Sequence, residues 1–149
     1  MFQALASNEV KALAAKARAV REARDRALSS IRDRTFAEPT PARGVHNPAA
    51  DLGLDVLPKD EPSRKALEDS LAALPPSARR ELWALVLVGR GDYAAKDWER
   101  AMAEASRLPD VGVSQFMEVA DLHECLAKAS YELEREQEAA KGEPYEPSA

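Results

Sequence analysis

The run Gly89-Arg90-Gly91-Asp92 has the residue types that hold a phosphate. Glycines let backbone N–H groups approach an anion closely, and a guanidinium beside them supplies charge. The same four residues also read as a left-handed helix stop, a turn and an aspartate N-cap, which needs no ligand. Arg90 is the residue this second reading leaves without a role, so Arg90, Gly91 and Asp92 are the candidate ligand-binding residues. The run lacks the third glycine and preceding strand of a dinucleotide fingerprint. His123-Glu124-Cys125 pairs a base with a nucleophile by residue type. Positions two apart on a helix point about 200° away from each other, so His123 and Cys125 share neither a ligand face nor a proton path. Acid pairs such as Asp97 with Glu104, or Glu118 with Asp121, fit a solvated helix face. The sequence therefore offers no catalytic residue, no metal site and no cofactor, and the expectation is a protein that is not an enzyme.

Charge is unevenly placed. Residues 1–34 carry eight Lys/Arg against four acids, although the whole chain has a formal net charge of -5, so the acidic excess lies later, much of it from Glu118 onward. Complementary ends suit two helices that pack together, within one chain or between two copies. They also suit a basic arm that meets nucleic acid. No aromatic residue lies between Phe2 and Phe36 to stack on bases, and alanine rather than bulky apolar residues faces the cations, which disfavours nucleic acid and a membrane surface.

Helical periodicity supplies the elements that would position these residues. From Asn8 to about Arg34 there is neither Gly nor Pro, and Val10, Leu13, Ala17, Val20, Ala27 and Ile31 recur at three- and four-residue steps. The spacing predicts a long helix, capped by Ser7 or Asn8, whose narrow stripe is in want of a partner. Residues 35–59, with Pro39, Pro41, Pro48 and Pro58, read as a linker whose later part, through Leu52, Leu54, Val56 and Leu57, is pinned to the core. Asp60-Glu61-Pro62 opens a helix, with Asp60 able to cap it and Leu67, Leu71 and Leu74 on one face. Pro75-Pro76 ends it and starts another, which runs through Trp83–Val88 to Gly89 and is apolar on most sides. A buried strand is the rival reading of Trp83–Val88, and the helical flank from Pro76 to Glu81 favours helix. Asp92 is placed to cap a helix bearing Tyr93, Trp98, Met102 and Ala105, and Ser114 one that runs unbroken to about Ala140.

With 149 residues the chain is long enough for one domain that buries roughly 70% of its unfolded surface. Its single cysteine fits a reducing compartment, and the absence of a basic leader before an apolar stretch leads us to expect a cytoplasmic protein. No run approaches the roughly 20 apolar residues of a membrane span.

The stretch Leu82-x-Ala84-Leu85-x-x-x-Gly89-Arg90-Gly91-Asp92, followed by Trp98 and an alanine-rich helix, resembles an uncharacterised, mostly alphaproteobacterial family known only as a domain of unknown function. The resemblance spans about residues 63–133. It implies a small, soluble, mostly helical bacterial protein and assigns no catalytic residue. The expected architecture is all-α: a bundle of three to four helices over 60–140, a projecting N-terminal helix over 1–34, and a flexible tail over 141–149. The expected function is a protein–protein interaction or assembly module. It would self-associate, or bind another protein, through an exposed seam of Val10, Leu13, Ala17, Val20 and Ile31.

Overall fold

The computed structural model describes residues 4–34 and 53–142, with side chains described over 4–29 and 53–140. Among the described residues there are helices and no strand: α1 (Ser7–Arg34), α2 (Pro62–Ala73), α3 (Pro76–Gly89), α4 (Trp98–Ser106), α5 (Val113–Met117) and α6 (Leu122–Gly142), with 3-10 turns at Leu54–Val56 and Ala95–Asp97. The all-α expectation holds, and Trp83–Val88 is helix. Residues 35–52 of the expected linker and 143–149 of the expected tail lie outside the described residues.

The prolines act as punctuation. Pro62 and Pro76 each stand in the first turn of a helix, where a missing N–H costs nothing. The cap of α2 is Glu61 rather than Asp60: its carboxylate accepts the Arg64 N–H at 2.9 Å and a hydrogen bond from the Ser63 hydroxyl. Together these hold the Glu61 carboxyl below its ordinary pKa, the Ser63 bond contributing most.

α3 is the central rod. Ala84 to Val88 are all buried, and so are Ala78, Glu81 and Leu82. It packs against α4 on one side and α6 on the other; α6 in turn packs against α1, and α1 against α2. The order of neighbours is therefore α4, α3, α6, α1, α2, and one continuous apolar core runs from Val10 and Val20 through Leu126 and Leu85 to Trp98.

This arrangement corrects the projecting N-terminal helix. Val10, Leu13, Ala17 and Val20 are at most 5% exposed, covered by the chain's own α6 and α2. The seam expected to want a partner finds one in cis, because the chain returns to lay α6 along it. Ile31, the remaining residue of that seam, lies outside the described side chains. The expected packing of the basic and acidic end helices is what forms, within one chain.

Four further expectations change. Residues 60–140 hold five α-helices rather than three or four. α4 begins at Trp98 after the 3-10 turn, so Asp92 does not cap it. The final helix is broken into α5 and α6 by turns in which the Glu118, Val119 and Leu122 N–H groups donate to Ser114, Phe116 and Val119 carbonyls. The break allows Phe116 and Met117 to be buried in α5, which packs against α2, while Leu122 starts a new burial face on α6. The start of α5 is closed by Gly112 and Gln115 rather than by Ser114: the Gln115 side-chain oxygen accepts the Gly112 N–H at 3.0 Å.

The later linker is pinned at two of the four residues expected to hold it. Leu54 and Leu57 are buried and Val56 is exposed, while Leu52 lies outside the described residues. Two buried arginines hold this segment: Arg64 donates to the carbonyls of Asp55, at 2.7 Å, and Leu57, and Arg24 to that of Gly53. Charges so deeply placed are tolerable because Arg64 Nη1 and Arg24 Nε find carbonyls, with Glu68 beside Arg64 and Asp25 beside Arg24.

Candidate functional site

The Gly89–Asp92 run is a helix C-terminus with its hydrogen bonds already made. The Gly91 N–H donates to Val88 and the Asp92 N–H to Leu87, the paired bonds of a Schellman stop, and the Arg90 N–H donates to Val86. Gly91, at φ 89°, is the left-handed residue that such a stop requires. Gly89 has a different task from the stop expected of it. It ends α3 against the backbone of Cys125, where a Cβ would lie 2.6 Å from the Cys125 Cα. The Arg90 guanidinium bonds the Asp92 carboxylate at 2.8 Å and lies 5.7 Å from the centre of the Trp83 ring. Arg90 thus has the partners that the sequence did not supply: an acid two residues on, and an aromatic face about two helical turns behind.

His123 and Cys125 diverge as the helical geometry requires. Cys125 faces Gly89 in the core; burial above all, with the Asp121 carboxylate beside it, pushes its thiol up to about 11. A thiol so placed is a packing residue, not a poised nucleophile. His123 lies on the half-buried side of α6, 3.7 Å from Glu124. Among the described residues no group of three His, Cys, Asp or Glu stands close enough to hold a metal ion.

Sequence reasoning missed Glu81. It is a buried carboxylate on α3 that accepts the N–H of Leu5 at 2.9 Å and that of Ala4 at 3.0 Å. It thereby pins the segment before α1 from 76 residues away, while at the helix start itself the Glu9 side chain takes the Ala6 N–H at 2.8 Å. An acid leading into the apolar run of α3 was the available signal, but its partner is not local.

A concave surface lies between α1 and α6. It is a groove of about 240 Å³ lined by Val10, Lys11, Ala14, Leu126, Ala127, Ser130, Tyr131 and Glu134. The helices bordering it run antiparallel: Arg21 reaches the carbonyl of Ala120 at one end, while Lys11 shares the groove with Glu134 at the other. Its floor is apolar or small; of the residues that line it, Lys11 on α1 is the one cation and Glu134 on α6 the one acid. Residues 7–29 carry six Lys/Arg against three acids, and residues 122–140 five acids against two Lys/Arg. Tyr131 stands on the lip, 60% exposed, with the Arg135 guanidinium 5.7 Å from its ring centre.

Comparison with known proteins adds one likeness. Residues 64–128 match the family model described as Protein of unknown function (DUF3775). No curated protein and no solved structure matches the chain. The DUF3775 match covers less than half of the chain and runs from α2 into α6. Its overlap with the stretch Leu82–Asp92 agrees with the resemblance to a family without assigned activity. α1 lies outside the match, as do Ser130, Tyr131 and Glu134, so the groove is built where the DUF3775 segment meets the rest of the chain. Among the described residues, no helix is long and apolar enough to cross a membrane.

Proposed function

We propose that this protein is a non-enzymatic, cytoplasmic interaction module that assembles with a second copy of itself. The docking face in this reading is the α1–α6 groove rather than the buried seam of Val10, Leu13, Ala17 and Val20. The observation that carries it is Tyr131: a large, mostly exposed ring on the lip of an apolar groove, steadied by Arg135. Tyrosine offers wide amphipathic contact area for few rotatable bonds, which is why it is over-represented among residues that dominate binding energy.

The two other readings have less behind them. For nucleic acid, the cations of α1 are partly committed: Arg18 pairs with Glu22, Arg21 with Asp25, and Arg24 is buried. For a phosphorylated ligand at Arg90, the guanidinium and the neighbouring N–H groups already have partners.

Light scattering across a concentration series tests the assembly. The mass is expected to rise toward that of a dimer, and Tyr131→Ala to raise the dissociation constant by about tenfold or more, the scale of an interface anchor. A wild-type chain that stays monomeric at every concentration removes the reading.

A further inference from the structure

Resting on that reading, we infer that Glu81 is the positioning residue of the groove: from α3, outside the groove, it fixes the first turns of α1 as one of the two walls. The walls are unequal in their support. The α6 wall, from Leu126 to Glu134, stands inside a helix that continues on both sides of it. Val10, Lys11 and Ala14 of the other wall stand in the first turns of α1, which begins at Ser7. Helix ends fray, because their outermost backbone groups lack partners along the helix and open at little cost. The α1 wall therefore needs an anchor ahead of it, and the α6 wall does not.

Glu81 is that anchor. Its buried carboxylate accepts the Leu5 N–H at 2.9 Å through one oxygen and the Ala4 N–H at 3.0 Å through the other. Negative charge suits this place, just ahead of a helix N-terminus. Leu5 is itself buried, and the Ala6 carbonyl accepts the Glu9 and Val10 N–H groups, so the held segment runs directly into the turn that carries Val10 and Lys11. Further along, Lys16 donates to the Ser70 hydroxyl and Arg21 to the Ala120 carbonyl, tying the rest of α1 to its neighbours. The same rod sets the other wall. Gly89, about 12 Å along α3 from Glu81 by helical rise, meets the backbone of Cys125, the residue before Leu126. Both walls are thus referred to α3, which lines neither.

Removing the acceptor while keeping apolar volume reads out the anchor. In Glu81→Leu, native-state hydrogen exchange is expected to quicken by about tenfold or more at Val10, Lys11 and Ala14, the scale of hydrogen bonds lost to a charged acceptor. The amides of α1 beyond Arg21, and those of α6 along the groove, should keep their wild-type rates. By light scattering, the dimer dissociation constant should rise by about tenfold, as when an interface anchor is lost. Glu81→Gln keeps one acceptor oxygen at the same reach and is expected to fall between Glu81→Leu and wild type in both measurements. It carries the test if far-ultraviolet circular dichroism shows Glu81→Leu unfolded. Unchanged exchange at Val10, Lys11 and Ala14 overturns the inference. Exchange that quickens equally throughout α1 and α3 also overturns it, since that marks a general loss of packing. If the three amides quicken while the dissociation constant holds, the anchor stands and the groove is not the docking face. A monomeric wild type removes the reading beneath, and exchange alone then decides whether Glu81 holds the wall.

Discussion

Gly89 of α3 lies against Cys125 of α6 with no space between the two backbones for a side chain. A Cβ built on Gly89 would stand 2.6 Å from the Cys125 Cα and 2.7 Å from its carbonyl carbon, so the two helices cross at a position only hydrogen can occupy. Backbone atoms cannot swing aside as a flexible side chain can, so an added methyl forces the helices apart.

Gly89→Ala is therefore expected to cost about 1–3 kcal/mol, the range of core overpacking, with the upper end favoured by the rigid neighbour. Gly91→Ala meets nothing within 4 Å but must hold φ 89°, at an expected cost of about 1 kcal/mol. Urea denaturation of both variants checks the order, and equal or inverted costs would contradict the crossing.

Glu81→Ala leaves the Ala4 and Leu5 N–H groups without the carboxylate that accepts them, one of them in a buried position. A loss of about 1–3 kcal/mol is expected. Hydrogen exchange separates this role from a general loss of packing: the amides of Ala4 and Leu5 should exchange faster while those of α3 keep their order of protection. Unchanged exchange at Leu5 would show that Glu81 does not hold the N-terminal segment.

The Cys125 thiol, raised from an ordinary 9.0 to about 11, should be slow to alkylate in the native state. At pH 8 its thiolate is roughly 100-fold scarcer than that of an unperturbed thiol, before the shielding by burial is counted. The folded state keeps a proton that the unfolded state releases first. This group's contribution to stability is therefore complete below pH 9 and is lost as pH rises through about 11. Iodoacetamide labelling in buffer and in urea measures the first point, and the alkaline slope of stability in Cys125→Ala against wild type measures the second. Native labelling as fast as unfolded labelling would refute the buried placement.

Glu61 behaves in the opposite sense. Its carboxyl is held below the ordinary value by the Ser63 hydroxyl and the Arg64 N–H, so its capping contribution is present above the unfolded pKa of 4.5 and fades as pH falls through the lowered one. Glu61→Gln should flatten the acid limb of the stability profile below pH 4.5, and Ser63→Ala should flatten it in part. Thermal melts between pH 3 and 6, on a scale set by the ordinary carboxylate pKa, follow both; an acid limb identical to wild type in Glu61→Gln would remove the carboxylate cap.

The local part of this fold is legible in the sequence. Apolar spacing marks α1, α2 and α3, Pro62 and Pro76 mark their starts, and Leu54 and Leu57 announce that the linker returns to the core. These succeed because periodicity and proline geometry act within a few residues. The break between α5 and α6 was not legible, since Phe116, Met117, Val119 and Leu122 satisfy a continuous helical pattern as well as an interrupted one. The candidate groove was legible only in fragments. The basic and acidic ends allowed α1 and α6 to pack but left open whether within one chain or between two, and nothing foretold that Tyr131 would remain outside.

By itself, then, the sequence determined the helix class, most helix boundaries and the electrostatic match of the two ends. Each follows from interactions between near neighbours or from summed charge. Only the tertiary structure decided that α1 is covered by its own chain, that Glu81 reaches back to Leu5, and that Gly89 makes room for α6 rather than stopping α3. Those outcomes depend on where distant segments return in space: an apolar stripe states that it must be buried, and only the folded chain states by what.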